Sequence, residues 1–188
     1  MATFCPSLWG GKDWPPAAYS PKTRLLYVPA NDNLCTELKG EAPKYVAGEL
    51  YVGVSTNVLL MVAGADHIGE LQAWNLDTGK RAWTTKLPSQ NWGPVLATGG
   101  DLLFSGGTND RLFRAFDAKT GKILWQFPTL SGVNGVPVSF AVDGKQYIAV
   151  QSGWGVDAAR MQGRLNLLFP GKYPAVPQGG AIYVFALK

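Results

Sequence analysis

A repeated segment constrains this chain more than any other feature. "AWNLDTGKRAW" (73–83) returns as "AFDAKTGKILW" (115–125), with Ala, Asn/Asp, Thr, Gly, Lys and Trp recurring at an offset of 42 residues. A period of roughly 40 to 50 residues points to propeller blades or helical arrays. The local pattern selects the first. In each copy a β-rich run (Leu71 to Trp74; Leu112 to Phe116) meets an Asn/Asp-x-x-Thr-Gly turn, and a second run then ends in an aromatic. That pattern predicts a β-hairpin, because Gly supplies the positive φ and the Asn or Asp side chain can bond the backbone ahead of it. The runs that follow, "GPVLATGGDLLFSG" and "GVPVSFAVDGKQYIAVQSG", each split around a Gly-containing turn. Each period, at about 71–106 and 112–153, therefore holds about four strands, the content of one blade. Trp83 and Trp125 are then docking residues, large flat side chains buried between neighbouring blades.

The expected fold is all-β, a partial β-propeller occupying residues 1–188 as a single domain. With 46% hydrophobic and 16% charged residues the chain can bury a sizeable core, but 188 residues at this period make only about four and a half blades. Two irregular stretches reduce that number. Two blades are clear, "KTRLLYVPAND" and "YVAGELYVGV" read as part of another, and "AIYVFAL" (181–187) as a closing strand. The economical inference is one end of a longer protein. Gly and Pro, 23 and 13, suit strands and loops, and no helical period stands out.

The net charge of +4 comes from scattered Lys and Arg, which argues against a nucleic-acid partner. No apolar run has membrane-spanning length, and "MATFCPSLWGG" shows no signal-peptide pattern. The only histidine, His67, stands in a Gly/Ala/Asp loop, and no spacing suggests a metal site. Cys5 and Cys35 bracket an apparent hairpin, "AAYSPKTRLLYVPA". They are either joined, which implies an oxidising compartment, or two buried thiols.

The motif Ala-x-Asp-x-x-Thr-Gly-Lys-x-x-Trp, complete at 115–125, resembles the tryptophan-docking motif of the pyrroloquinoline quinone (PQQ)-dependent alcohol dehydrogenases. The ordered series "FCPSLWGGKDWPPAAYSPKTRLLYVPAN", "GELQAWNLDTGKRAW", "NWGPVLATGGDLLFSGG", "FDAKTGKILWQF", "VDGKQYIAVQSGWG" and "GGAIYVFAL" resembles the C-terminal part of the methanol/ethanol subfamily, closer to the ethanol type. The resemblance implies an eight-bladed propeller binding PQQ beside a calcium or lanthanide ion. It also implies that a catalytic aspartate takes the alcohol proton while hydride passes to the quinone. That aspartate and the metal ligands match nothing in this chain, so the segment is expected to be inactive alone. A periplasmic location, a small primary alcohol as substrate, cytochrome c as electron acceptor and the remaining blades as partners follow from the same resemblance.

Residue by residue, the resemblance makes Asp13, Trp92, Gly153 and Trp154 the cofactor-side candidates. Asp13 stands where relatives place a polar residue, often Asn. A carboxylate there adds negative charge beside an anionic cofactor, so either Lys12 compensates or the side chain faces elsewhere. Trp92 and Trp154 are expected to face the cofactor rather than the core, and Gly153 to let the backbone approach it. The resemblance also implies a Cys5–Cys35 disulfide. The rival readings are a non-enzymatic propeller-repeat scaffold of the bacterial envelope and a truncated gene product.

Overall fold

The computed structural model describes residues 1–49, 51–154 and 158–186. Leu187, assigned to the closing strand from sequence, lies outside them. The strands run β1 (Ala2–Phe4), β2 (Ala18–Ser20), β3 (Leu25–Asn31), β4 (Leu34–Gly40), β5 (Val54–Met61), β6 (Gly69–Asn75) and β7 (Lys80–Leu87). Next come β8 (Leu96–Ala97), β9 (Leu102–Ser105), β10 (Leu112–Asp117), β11 (Ile123–Pro128), β12 (Val138–Val142) and β13 (Lys145–Ser152). One helix, α1 (Ala158–Leu168), precedes β14 (Ala181–Ala186).

Two four-stranded antiparallel sheets, β2-β3-β6-β7 and β8-β9-β10-β11, are the two blades, and β12-β13-β14 forms a third, three-stranded sheet. The sequence period straddles them. Counted from the repeated turn, 71–106 takes in β6 and β7 of the first blade but β8 and β9 of the second. The turn itself joins the third and fourth strands of a blade.

That turn forms as its chemistry dictates. Asn75 Oδ1 accepts from the backbone N–H of Asp77 and Thr78 at 2.9 and 3.0 Å, and Asp117 Oδ1 accepts from Lys119 and Thr120 at 2.9 and 2.8 Å. Gly79 and Gly121 close the two turns at φ of +64° and +72°, a region that favours glycine.

Neighbouring sheets share cores. Leu25, Tyr27, Leu71, Ala73 and Leu87 of the first blade pack on Val95, Leu103, Phe116 and Ala118. Phe104, Phe113 and Ala115 of the second pack on Val133, Ile148 and Val150 of the third sheet and its approach. Each large side chain so buried contributes about 1.5 to 3 kcal/mol.

Between β3 and β6 the first blade is interrupted by β4 and β5, which join β1 in a side sheet of order β1-β4-β5. Cys5 and Cys35 are joined here. What brings them together is the β1–β4 ladder, in which Phe4 faces Thr36, rather than the β2–β3 hairpin, which belongs to the blade. "YVAGELYVGV" is not a blade strand. Its described residues precede β5 as a loop that leaves Tyr45 and Tyr51 exposed, and only Val54 joins the ladder.

The helix α1 was not anticipated. Met161, Leu165 and Leu168, spaced i, i+4, i+7, lie on one face against Trp9, Leu34, Leu59 and Ile68 of the side sheet and its loops. Arg164 adds a bond from its guanidinium to the Asn57 carbonyl at 3.0 Å. A connection within the third sheet thereby reaches back to the first blade.

Candidate functional site

The loops at one end of the sheets form a continuous run, held by short backbone contacts. It begins where Asn31 N–H bonds the Gly11 carbonyl at 2.8 Å and Asn31 Oδ1 accepts the Asn91 N–H at 2.8 Å. The Asn91 side chain donates to the Glu70 carbonyl and accepts from Gly93 N–H, so the 89–93 loop is fastened at both sides. Trp92 N–H then bonds the Gly107 carbonyl at 3.2 Å.

Glycines set how closely these loops approach. A Cβ on Gly93 would lie 1.9 Å from the Gly106 carbonyl oxygen, and one on Gly106 would lie 2.6 Å from the Val133 Cβ. The run ends at the third sheet, where Gly153 N–H bonds the Gly132 carbonyl at 2.8 Å and Val133 bridges Gly153. Ser131 Oγ accepts the Trp154 N–H at 3.1 Å and donates to the Pro177 carbonyl at 2.6 Å. The Trp154 ring lies over Gly132, where a Cβ would come within 1.5 Å of Cε3.

The structure thus brings the loops of Asp13, Trp92, Gly153 and Trp154 onto one belt, but their side chains differ. Asp13 is exposed and its Oδ1 accepts the Trp14 N–H at 2.8 Å. The Lys12 ammonium bonds the carbonyls of Asp13 and Pro15, at 2.5 and 2.8 Å, rather than the carboxylate. Asp13 Oδ1 is thus engaged within its own turn, and the Lys12 ammonium is engaged with backbone carbonyls.

Trp92 and Trp154 are packed more tightly than cofactor-facing side chains were expected to be. Trp154 is buried, and Trp92 is half-buried against Trp9, Ile68, Met161, Leu165 and Tyr173. Yet the indole N–H of each is buried without a hydrogen-bond partner, as are Gln90 Oε1 and Asn134 Oδ1. An unmet buried polar group costs about 1 to 3 kcal/mol, so two such donors on one belt are consistent with a ligand that supplies acceptors. PQQ, a flat anionic quinone rich in carboxylate and carbonyl oxygens, fits these indole donors; the Asp13 carboxylate offers it none.

Beside the belt lies an ionic cluster centred on His67. His67 Nδ1 meets Asp66 at 2.5 Å and Nε2 meets the buried Glu70 at 2.7 Å, while Gln72 donates to Glu70 and Lys86 to Asp66. Burial pulls the His67 pKa down, but the bonds to Glu70 and Asp66 outweigh it and the net shift is upward. Hydrogen bonds from His67 and Lys86 hold Asp66 at about 2. No group of three or more His, Cys, Asp or Glu arranged to hold a metal occurs among the described residues.

Trp9 was missed by sequence reading, although it stands edge-to-face with Trp92, centroids 5.9 Å apart at 69°.

Successive antiparallel sheets that share cores, with the Trp83 indole of the first blade lying on Gly121 of the second, define a tryptophan-docking β-propeller segment. The comparisons agree. Residues 89–148 match the family model described as "PQQ: Glucose/ethanol/alcohol dehydrogenase, beta-propeller domain". The chain is 41% identical over 97% of its length to quinoprotein alcohol dehydrogenase PedE of Pseudomonas putida, and 40% identical over 97% to quinoprotein ethanol dehydrogenase of Pseudomonas aeruginosa. In each case it spans 28% of the relative. A europium-containing methanol dehydrogenase superposes on 98% of the chain with a TM-score of 0.85 at 37% identity, the chain covering 34% of it. Sequence and fold together match this chain, over nearly its whole length, to a segment of the propeller of PQQ-dependent quinoprotein alcohol dehydrogenases, with ethanol-type enzymes among its most similar relatives.

Proposed function

We propose that this chain is the C-terminal part of a bacterial periplasmic PQQ-dependent alcohol dehydrogenase that oxidises primary alcohols to aldehydes. The observation carrying this reading is the glycine-tightened belt bearing Trp92, Gly153 and Trp154, with both indole N–H groups unpartnered. When bound, PQQ takes up the two electrons and two protons that the alcohol loses. Trp92 and Trp154 would donate hydrogen bonds to it and wall off water with their rings, and Gly153 would admit its edge to the backbone. Asp13 would shape the turn that carries Lys12 rather than touch the cofactor.

The catalytic aspartate and the ligands of a calcium or lanthanide ion belong, on this reading, to the remaining blades. The electron acceptor would be a cytochrome c. A scaffold role accounts less well for the belt, because an assembly surface has no use for buried, unpartnered donors.

The test is PQQ-dependent dye reduction with ethanol by the complete polypeptide and by the 188-residue chain. Turnover by the complete polypeptide alone is expected. Turnover by this chain alone, or none by either, would overturn the reading.

A further inference from the structure

Trp92 lies in a loop, and its backbone bond to Gly107 fixes the main chain but not the plane of the indole. That plane is set by what touches the ring. The ring packs against the cluster that holds Met161, Leu165 and Tyr173, and within that cluster the ring of Trp9 stands edge-to-face to it. Edge-to-face aromatic pairs have a defined mutual orientation, which an aliphatic neighbour of equal volume would not impose.

Trp9 is itself held unusually firmly for a loop residue. It is 7% exposed, its N–H bonds Ser7 Oγ at 3.2 Å, and Gly10 N–H closes the turn onto the Ser7 carbonyl at 2.8 Å. Two successive residues of β4 anchor the loop: Cys35 through its disulfide to Cys5, and Thr36 through a bond from Leu8 N–H to its Oγ1 at 2.8 Å. The path from β4 to the Trp92 ring is therefore short and covalently braced.

We propose that Trp9 is a positioning residue for Trp92: the Cys5–Cys35 bridge fixes Trp9, and Trp9 fixes the Trp92 indole with its N–H aimed at the quinone. This rests on the functional reading above and adds to it a residue that touches no cofactor.

The test uses the complete polypeptide as apoprotein. Its PQQ affinity is measured by quenching of tryptophan emission, and the Trp9–Trp92 pair is followed by its exciton couplet in circular dichroism. Trp9→Leu, compared well below its melting temperature, is expected to abolish the couplet and weaken PQQ binding about tenfold, equivalent to about 1.4 kcal/mol. Trp9→Phe, which keeps an aromatic edge, is expected to retain affinity within about twofold. Reducing the Cys5–Cys35 bridge in the unsubstituted protein gives a second reading without a core substitution: both couplet and affinity should fall.

Wild-type affinity in folded Trp9→Leu, or a couplet and affinity insensitive to reduction, would show that Trp9 merely fills the core and would overturn the proposal. Failure of the unsubstituted protein to bind PQQ would remove the functional reading along with it, an outcome distinct from the other two.

Discussion

The indole of Trp83 in β7 lies on the backbone of Gly121 in the next blade. Its Nε1 donates to the Ala118 carbonyl at 3.1 Å, and a Cβ on Gly121 would sit 2.4 Å from Cε3. Thr85 Oγ1 caps the contact by donating to the Gly121 carbonyl at 2.6 Å. The turn glycine of the second repeat thus seats the tryptophan of the first. Gly121→Ala should cost on the order of 2 kcal/mol or more, from the left-handed φ and the overlap together. Trp83→Ala should cost about 2 to 4 kcal/mol, and the double variant less than the sum. Urea denaturation of the three proteins checks this; full additivity would mean that the two residues do not meet.

Trp125 repeats the motif with a different outcome. It is 39% exposed and packs on Phe185 and Phe127 beside an apolar groove of about 590 Å³ that Leu124, Val184 and Phe185 also line. Its replacement by Ala should therefore lower the denaturation midpoint of this chain less than Trp83→Ala does.

The free side of β14 and the strand β12, exposed along its length, are open edges among the described residues. Unpaired strand edges template association. The isolated chain is expected to associate at micromolar concentration in light scattering; a monodisperse monomer that unfolds cooperatively would contradict this.

The Cys5–Cys35 bridge closes a sequence separation of 30 residues. A loop of that size corresponds to about 3 to 4 kcal/mol in the chain-entropy model. Peptide mapping under non-reducing conditions should recover the linked pair, and reduction should lower the melting temperature. Two free thiols after oxidative folding would contradict the bridge.

The Asp66–His67–Glu70 cluster predicts a stability profile against pH. The Asp66 pKa is depressed, so its contribution is complete above about pH 4, the unfolded value, and is lost as pH falls through about 2. The His67 pKa is raised, so its contribution is complete below about pH 6.5 and is lost as pH rises through the folded value. The cluster therefore stabilises most between about pH 4 and 6.5. His67→Asn should flatten the profile between about pH 5 and 8, read as urea midpoints; an unchanged profile would exclude the cluster as its source.

The blades were legible because their signals are local: Asn75 and Asp117 act within three residues, and each turn glycine follows one residue later. Helix α1 escaped because Gly163 interrupts the run and flanking Gly and Pro suggest loop, although Met161, Leu165 and Leu168 carried the i, i+4, i+7 spacing. The blade that a strand joins was harder to read, since the insertion between β3 and β6 separates partners that pair in register. At the site, the belt could be named only through resemblance. Trp9 had no local mark, because its meaning lies in a contact with Trp92 that only the folded chain creates.

If the belt presents indole donors to PQQ, replacing Trp92 or Trp154 by phenylalanine removes a donor that the cofactor needs. Trp→Phe keeps a ring in place but deletes the buried N–H that has no protein partner in Trp92 and Trp154. Measured by PQQ titration of the complete apoprotein, each of Trp92→Phe and Trp154→Phe should bind about tenfold more weakly, a loss of about 1.4 kcal/mol, while unfolding at close to the unsubstituted temperature. Unchanged PQQ affinity in both variants would contradict the account.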